Sequence, residues 1–370
     1  MVTGRMLFDT NAQIETSDKS LCESVFAHLN RSVKLSDTAR RALIEEWLFH
    51  LPESEQGKFC VRFRSGNDNQ FVSAFHELFL HEFLRRQSCT LDFHPIMSGS
   101  SKRPEFLVHP PDGNDFILEA RTSTEVASGP DRSPRGNRIR DALRQMKLDG
   151  YRLGIDKLSV GKSDLPQKAL RKHIVDAIAV RSGKDHSIVR IPDYSTEDGW
   201  LIRLTAFPSR QYGSSHSGTI MYEAWTTIWN GPSYPLRDAL KKKAGKYGQL
   251  TMPYVIAINS SDVMLTDCDL EETLFGVQPG TTIAGMADEL ARGFWGTESA
   301  PNHQRVSAVL FTKNLWPATV LTCQVYACLY LNPWPKRPYD GLLTQLPTFR
   351  FENGNVRQYS GEAWHELIKL

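Results

Sequence analysis

Three glutamates in the first third of the chain stand where their carboxylates could share one metal ion. Glu77 lies in a run of apolar residues at helical spacing. Glu105 opens a short β-like run, and Glu119 lies near the end of the next one. Carboxylate oxygens are the ligands that Mg²⁺ prefers, and a bound metal ion can activate water and neutralise the charge of a phosphate. These residue types therefore point to metal-dependent hydrolysis.

A predicted turn brings two of these glutamates together. Residues 110–114 read Pro-Pro-Asp-Gly-Asn, which are residue types that accept turn geometry. In a hairpin centred on Asp112, Glu105 faces Glu119, and opposed side chains lie about 5 Å apart on one face. Two carboxylates at that distance repel each other unless a cation or a proton lies between them. The pairing therefore favours a bound divalent cation.

The elements that must position these residues follow from the hydrophobic pattern. Apolar residues at helical spacing, with Glu77 on a different flank, predict an amphipathic helix over residues 71–86. After it, the pattern predicts three short strands, a basic helix, and a buried strand, over residues 90–94, 105–109, 116–121, 236–247 and 253–258. Two further apolar runs predict strands over residues 306–311 and 325–331. The chain is therefore expected to be of the α/β class.

The order of these residues resembles that of a known family. A helix with Glu77, then Pro104-Glu105 at a strand start, then Glu119-x-Arg121 at the end of the next strand is similar to the PD-(D/E)XK nuclease superfamily, which includes restriction endonucleases and Holliday-junction resolvases. The resemblance covers residues 71–121. The residues around Pro253-Tyr254-Val255 are also similar to those of uncharacterised bacterial proteins of about this size.

The resemblance implies a fold and a set of roles. The fold would be an αβββαβ core with a mixed central sheet, to which residues 236–258 contribute the last helix and strand. Glu105 and Glu119 would bind Mg²⁺ or Mn²⁺, with Glu77 as a third or supporting ligand. The implied reaction is hydrolysis of phosphodiester bonds in DNA, with RNA as the less favoured substrate.

One position departs from the family pattern. Arg121 stands where the catalytic lysine is usual, and arginine stabilises phosphate charge but hardly exchanges protons, because its pKa exceeds about 12. A lysine could reach the site from elsewhere, and four basic residues are predicted to bind the substrate phosphates: Lys102, Arg103, Lys243 and Lys246.

The chain is expected to divide into an N-terminal helical region, the first part of the core, a basic insertion or second lobe, and the rest of the core with a C-terminal α/β region, over residues 1–65, 66–125, 126–235 and 236–370. Within the insertion, residues 212–219 are predicted to form a loop. Trp225, Trp229 and Tyr234 are predicted to be core aromatic residues rather than platforms for bases.

Composition limits the class of protein. With 40% hydrophobic and 23% charged residues, the chain is typical of a folded soluble protein. It contains no run of about 20 apolar residues and no apolar leader, so we expect a cytoplasmic protein that does not enter a membrane. The net charge of +2 is small, but basic clusters over residues 132–190 and 241–246 could still contact phosphates.

The sequence thus predicts a Mg²⁺-dependent endonuclease that acts on DNA, in the setting of bacterial restriction or anti-phage defence. Two alternatives stay open. The chain could be a catalytically inactive nuclease-like module that binds nucleic acid or supports an assembly, with Arg121 marking the lost chemistry. It could also be a protein-interaction component whose basic regions contact an acidic partner. Besides nucleic acid, the expected partners are a second copy of the chain or a partner protein of a defence system.

Overall fold

The computed structural model describes residues 6–97, 100–123, 133–148, 150–181, 188–208, 233–248, 250–260, 265–276 and 293–368. The predicted loop over residues 212–219 and the side chains of Trp225, Trp229 and Tyr234 lie outside this description. Contacts divide the chain into two compact units. The first comprises residues 1–17, 25–126 and 230–370, and the second comprises residues 18–24 and 127–229.

The described residues form ten α-helices and thirteen strands. The helices are α1 Val25–Arg31, α2 Leu35–Phe49, α3 Glu53–Phe63, α4 Asp68–Arg86, α5 Pro134–Arg144, α6 Gln167–Arg181, α7 Ser233–Ala244, α8 Asp267–Phe275, α9 Pro317–Leu321 and α10 Trp364–Leu367. The strands are β1 Thr90–Phe93, β2 Phe106–His109, β3 Phe116–Ser123, β4 Tyr151–Ser159, β5 Val189–Ser195, β6 Leu201–Pro208, β7 Tyr254–Ser260, β8 Gly296–Thr297, β9 Ala300–Pro301, β10 Ala308–Lys313, β11 Tyr326–Leu331, β12 Thr348–Glu352 and β13 Asn355–Tyr359. None of these helices has the length and apolar character needed to cross a membrane.

A mixed eight-stranded sheet lies at the centre of the first unit, which confirms the predicted α/β class. Its strand order is β1-β2-β3-β7-β10-β11-β12-β13. Strands β1, β2 and β3 form an antiparallel meander. Strand β7 then pairs parallel with both β3 and β10. A parallel neighbour requires a crossover, and the chain between β3 and β7 includes α7.

Alternating side chains of the central strands supply two separate cores. Phe116, Leu118 and Ala120 face the core formed with α1–α4, whereas Ile117 faces the core formed with α7 and α8. The same alternation continues along β7 and β10. Glu119 therefore lies on the α7 face by strand geometry, in register with Ile117. Both faces are covered, which explains why β7 is an uninterrupted apolar run.

The hairpin between β2 and β3 has the predicted register. Phe106 pairs with Leu118 and Val108 pairs with Phe116, so the hairpin is centred on Asp112. Gly113 in the turn has a φ of 101°, in the left-handed region that favours glycine. The paired residues of β2 and β3 end at Phe106, whereas β3 continues beside β7 as far as Ser123. The sheet therefore opens between β2 and β3 next to Glu105.

The second unit has a core of its own. Strands β4, β6 and β5 form a three-stranded antiparallel sheet in that order. Its buried core combines residues of the sheet, of α5 and α6 and of the connecting segments, including Leu153, Ile139, Ile174 and Trp200. The first unit, by contrast, holds all three predicted glutamates, and the site is built there.

Because α4 packs between the sheet and the N-terminal helices, truncation of its core side chains should destabilise the first unit. Phe75 is 1% exposed, and its ring stacks on Trp47 with 5.8 Å between centroids. We expect Phe75→Ala to lower the free energy of unfolding by about 3–5 kcal/mol in urea titrations. Phe49→Ala is the matched control, because Phe49 is 80% exposed and its loss should change stability by less than about 0.5 kcal/mol. Equal effects of the two substitutions would contradict this packing.

Candidate functional site

Glu119 lies in the interior of the protein, and both of its carboxylate oxygens accept hydrogen bonds from protein groups. Its side chain has 0% exposure. Oε1 accepts hydrogen bonds from the ammonium groups of Lys243 and Lys246, the latter at 2.7 Å. Oε2 accepts one from the Tyr247 hydroxyl. A buried carboxylate is tolerated when charged and hydrogen-bonding partners compensate for its desolvation, and these three donors supply that compensation.

Helix α7 and the turn after it deliver these three donors. Leu236 and Leu240 of α7 are buried in the core on that face of the sheet, which directs Lys243 towards β3. The helix ends at Ala244, so the prediction that it continues to residue 247 is wrong. Lys246 lies instead in the following turn, where the chain changes direction after the last helical hydrogen bonds.

Two hydrogen bonds to the backbone hold this turn in place. The Tyr254 hydroxyl of β7 donates to the Lys243 carbonyl at 3.1 Å. The guanidinium group of Arg305 donates to the Tyr247 carbonyl. The two bonds anchor one carbonyl in the last turn of α7 and one in the turn that follows it. The basic side chains are therefore presented from a fixed backbone.

Glu105 lies directly before β2, at the point where β2 and β3 separate. Its Oε1 is 4.0 Å from the Lys243 ammonium group, and its Oε2 is 3.6 Å from Nδ1 of His94. Burial raises the pKa of Glu105 to about 7, and the negative charges of Glu77 and Glu119 add to this increase. The three carboxylates therefore interact electrostatically, and Glu105 is the one with the weakest compensation.

Glu77 is held by an arginine from a neighbouring helix. It is 8% exposed on α4, and its two oxygens accept hydrogen bonds of 2.5 and 2.6 Å from the guanidinium group of Arg62 on α3. The predicted helix is present as α4, but the flank that bears Glu77 is not exposed. Helix α3 covers this flank, and α4 is buried on most sides. Glu77 nevertheless remains close enough to Glu105 for its charge to raise the pKa of that residue.

The other predicted site residues do not join this cluster through their side chains. Arg121 is exposed, as are Lys102 and Arg103. The Arg103 carbonyl oxygen, rather than its guanidinium group, lies at the site, 3.0 Å from the oxygen of the Tyr247 hydroxyl. Lys243 and Lys246 are therefore the lysines that reach the carboxylates.

Sequence reasoning missed two residues of the site. Arg62 contacts Glu77 from a different helix, and Tyr247 contacts Glu119 from far along the chain. Neither contact can be derived from the local sequence, because each depends on how separate elements pack. The position of Tyr247 next to Lys246 was the one available indication.

The donor set of this cluster suits a hard divalent cation. Glu77, Glu105 and Glu119 offer only carboxylate oxygens, which are the ligands of Mg²⁺ and Mn²⁺. Burial is the main cause of the raised pKa of Glu105, and the negative charges of Glu77 and Glu119 add to it, so the charged form of this carboxylate is poorly compensated. The residues therefore fit such an ion, with Glu105 as the group most in need of one. Lys243 lies between Glu105 and Glu119 and supplies part of that positive charge.

A second cluster with metal-ligand residue types lies between α2 and α4. Glu46, His50 and Glu82 each offer one ligand atom within 4.8 Å of the other two. Burial acts to raise the pKa of Glu82, but hydrogen bonds from Arg85 and Arg86 outweigh it and lower the pKa to about 2. His50 also contacts Glu82, at 2.9 Å. This carboxylate is thus neutralised by protein groups, as in an ordinary buried ion-pair network.

No protein-family model, curated protein or solved structure matches this chain. What the cluster can do therefore follows from its own geometry and charge.

The raised pKa of Glu105 predicts a specific pH dependence of stability in metal-free protein. Because the folded-state pKa of about 7 exceeds the ordinary 4.5, Glu105 ionises less readily in the folded state. The wild type should therefore lose stability relative to Glu105→Gln as the pH rises from about 4.5 to about 7, by roughly 1–3 kcal/mol. Urea titrations of both proteins across this range measure the difference. A constant difference in the free energy of unfolding would contradict the raised pKa.

Proposed function

We propose that this protein is a cytoplasmic, divalent-metal-dependent DNA endonuclease with a PD-(D/E)XK-like αβββαβ core. The observation that supports this best is the convergence of Glu77, Glu105 and Glu119 at the opening between β2 and β3, with two lysines on Glu119. The order α4, β1, β2, β3, α7 and β7, with β3 parallel to β7, supports it further, because it is the order that the resemblance implies.

Glu105 and Glu119 would bind the metal ion, with Glu77 in support. A bound Mg²⁺ or Mn²⁺ supplies Lewis-acid activation of water and neutralises charge on the phosphate. The protein's own contribution is to hold two carboxylates on one side of the opening in the sheet. Arg62 fixes Glu77 through its paired hydrogen bonds, so this carboxylate keeps a constant orientation towards Glu105.

Lys243 and Lys246 would take the role of the lysine that the family pattern places at Arg121. An ammonium group can donate a proton and can hold a phosphate oxygen, whereas a guanidinium group hardly exchanges protons. Lys243 is the stronger candidate, because it contacts Glu119 and lies 4.0 Å from Glu105. Relocation of the lysine to the end of α7 thus preserves the required chemistry despite Arg121.

A second function is favoured by a different observation at the same residues. Lys243, Lys246 and Tyr247 occupy both oxygens of Glu119, and the three glutamates do not form a set with ligand atoms within 4.8 Å of one another. These contacts would suit an inactive nuclease-like module in which the lysines replace the metal ion. Such a protein would bind nucleic acid without cleaving it.

Cleavage of DNA in the presence of Mg²⁺ tests the proposed reaction. We expect Lys243→Met to lower the rate constant by about 10²–10³-fold, because a positioned cationic donor is lost. Glu119→Gln, which retains an oxygen acceptor for Tyr247, should abolish cleavage. Lys242→Met is the matched control, since Lys242 is exposed and pairs with Asp238 at 2.6 Å rather than with a glutamate of the site. Wild-type activity in Glu119→Gln would contradict the assignment of the site.

Calorimetric titration with Mn²⁺ separates the two functions. The nuclease should bind Mn²⁺, and Glu105→Gln should weaken binding at least tenfold, because a charged ligand is replaced by a neutral one of similar shape. Folding of the variant can be checked by its urea titration. If the wild type binds no Mn²⁺ under conditions in which it binds DNA, the inactive module is the correct interpretation.

A further inference from the structure

A basic cleft lies directly beside the turn that bears Lys246 and Tyr247. It has a volume of about 670 Å³, and one wall is formed by Gly245 and Gly248 of that turn. Residues 301–305 form another part, and Lys336 and Arg337 complete it. Among the described residues that line it, Lys336, Arg337 and Arg305 carry positive charge and none carries a carboxylate. Its composition therefore favours an anionic ligand.

The positive charges of this cleft are available to a ligand. Lys336 and Arg337 are exposed, and in the part of the chain that the structure describes neither side chain forms an ion pair. The loop that bears them is fixed, because the Lys336 amide donates to the Gln304 carbonyl at 2.7 Å. Two unpaired cations on an anchored backbone are expected to attract phosphate groups.

The cleft and the carboxylate cluster share one segment of chain. In the turn after α7, Lys246 and Tyr247 point to Glu119, while Gly245 and Gly248 line the cleft. Arg305, which lines the cleft, donates to the Tyr247 carbonyl. The cleft is therefore adjacent in the chain and in space to the turn that carries the site lysine Lys246.

The chemistry of the lining also indicates how such a polymer would be held. Asn302 and Gln304 add neutral hydrogen-bonding groups between the cations. Phosphate contacts of this kind position a nucleic acid but do not read its sequence. Gly245 faces open space on this wall, since a Cβ built on it has no heavy atom within 4 Å.

We propose that this cleft binds the sugar–phosphate backbone of DNA adjacent to the bond that is cleaved, with Lys336 and Arg337 contacting its phosphates. The proposal rests on the proposed nuclease function and extends it to a specific surface. The cleft supplies affinity and alignment, whereas the glutamates and Lys243 supply the chemistry. Loss of the cleft should therefore weaken binding of DNA more than it changes the rate of cleavage at saturating DNA.

A charge placed on the cleft wall tests the proposal without a change of shape. Gly245→Asp adds a carboxylate where the built Cβ meets open space, and Gly245→Asn adds a neutral group of the same shape. Binding is measured by fluorescence anisotropy with a labelled DNA duplex in EDTA, so that no cleavage occurs. We expect the aspartate variant to bind about tenfold more weakly than the asparagine variant, as for one unit charge near a phosphate at the protein surface.

A further variant controls for net charge. Gly57→Asp changes the net charge by the same amount on α3, also at a position where a Cβ meets nothing within 4 Å. It should bind DNA like the wild type. If Gly245→Asp and Gly245→Asn bind equally well, or if Gly57→Asp weakens binding as much as Gly245→Asp, the cleft is not the DNA surface.

The salt dependence of binding counts the phosphate contacts. Replacing both Lys336 and Arg337 by alanine should reduce the slope of log affinity against log salt by about 2, since each lost contact removes about 1. Arg350→Ala with Arg357→Ala is the matched control, because these exposed residues pair on β12 and β13 outside the cleft. Its slope should equal that of the wild type.

The outcomes separate this proposal from the proposed function. If the wild type cleaves DNA but the variants with the altered cleft bind it normally, the cleft proposal is overturned and the nuclease stands. Weaker binding of those variants in a protein that never cleaves DNA supports the cleft and overturns the nuclease. If the wild type does not bind DNA at low salt, the cleft proposal and the nuclease proposal are both overturned. If the altered cleft weakens binding of an RNA duplex but not of a DNA duplex, the choice of DNA is overturned.

Discussion

The Glu119 carboxylate on β3, buried away from water, is the constraint on which the rest of the site depends. Removing one partner from a buried ion pair typically costs about 3–5 kcal/mol, so the chain must deliver compensating groups to this position. Helix α7 can do so only because its apolar face packs on the same side of the sheet as Glu119. The crossover from β3 to β7 therefore determines both the topology of the sheet and the position of Lys243 and Lys246. The packing of α7 and the charge compensation of Glu119 therefore both depend on the end of α7 and the turn after it.

Much of this arrangement follows from local sequence. The hairpin register was predictable because Pro, Asp, Gly and Asn restrict the turn, and a one-residue shift would move every apolar side chain to the wrong face. Strand β7 was predictable from its uninterrupted apolar run. Strands β12 and β13 were not predicted, although Asn353-Gly354 between them is a strong hairpin signal and both residues have positive φ, 52° and 80°. The sequence therefore does contain a local signal for the hairpin of β12 and β13.

The contacts that complete the site could not be read in the same way. Arg62 meets Glu77, and Tyr247 meets Glu119, only after separate elements have packed together. The extent of α7 was also overestimated, because Lys246 continues the basic pattern of the helix even though the chain turns after Ala244. Local patterns identify which residues have suitable chemistry, whereas tertiary packing decides which of them meet. The contact between Lys243 and Glu119 belongs to the second category.

The metal-free cluster and the proposed metal-bound cluster differ in what neutralises Glu105 and Glu119. In the metal-free protein, Lys243 and Lys246 provide the positive charge. A crystal soaked in Mn²⁺ and measured by anomalous diffraction distinguishes the states most directly. We expect an anomalous peak between Glu105 and Glu119, with carboxylate oxygens of both residues coordinated to the ion. Lysines still bound to Glu119, with no anomalous peak at the opening between β2 and β3, would contradict metal binding by these glutamates.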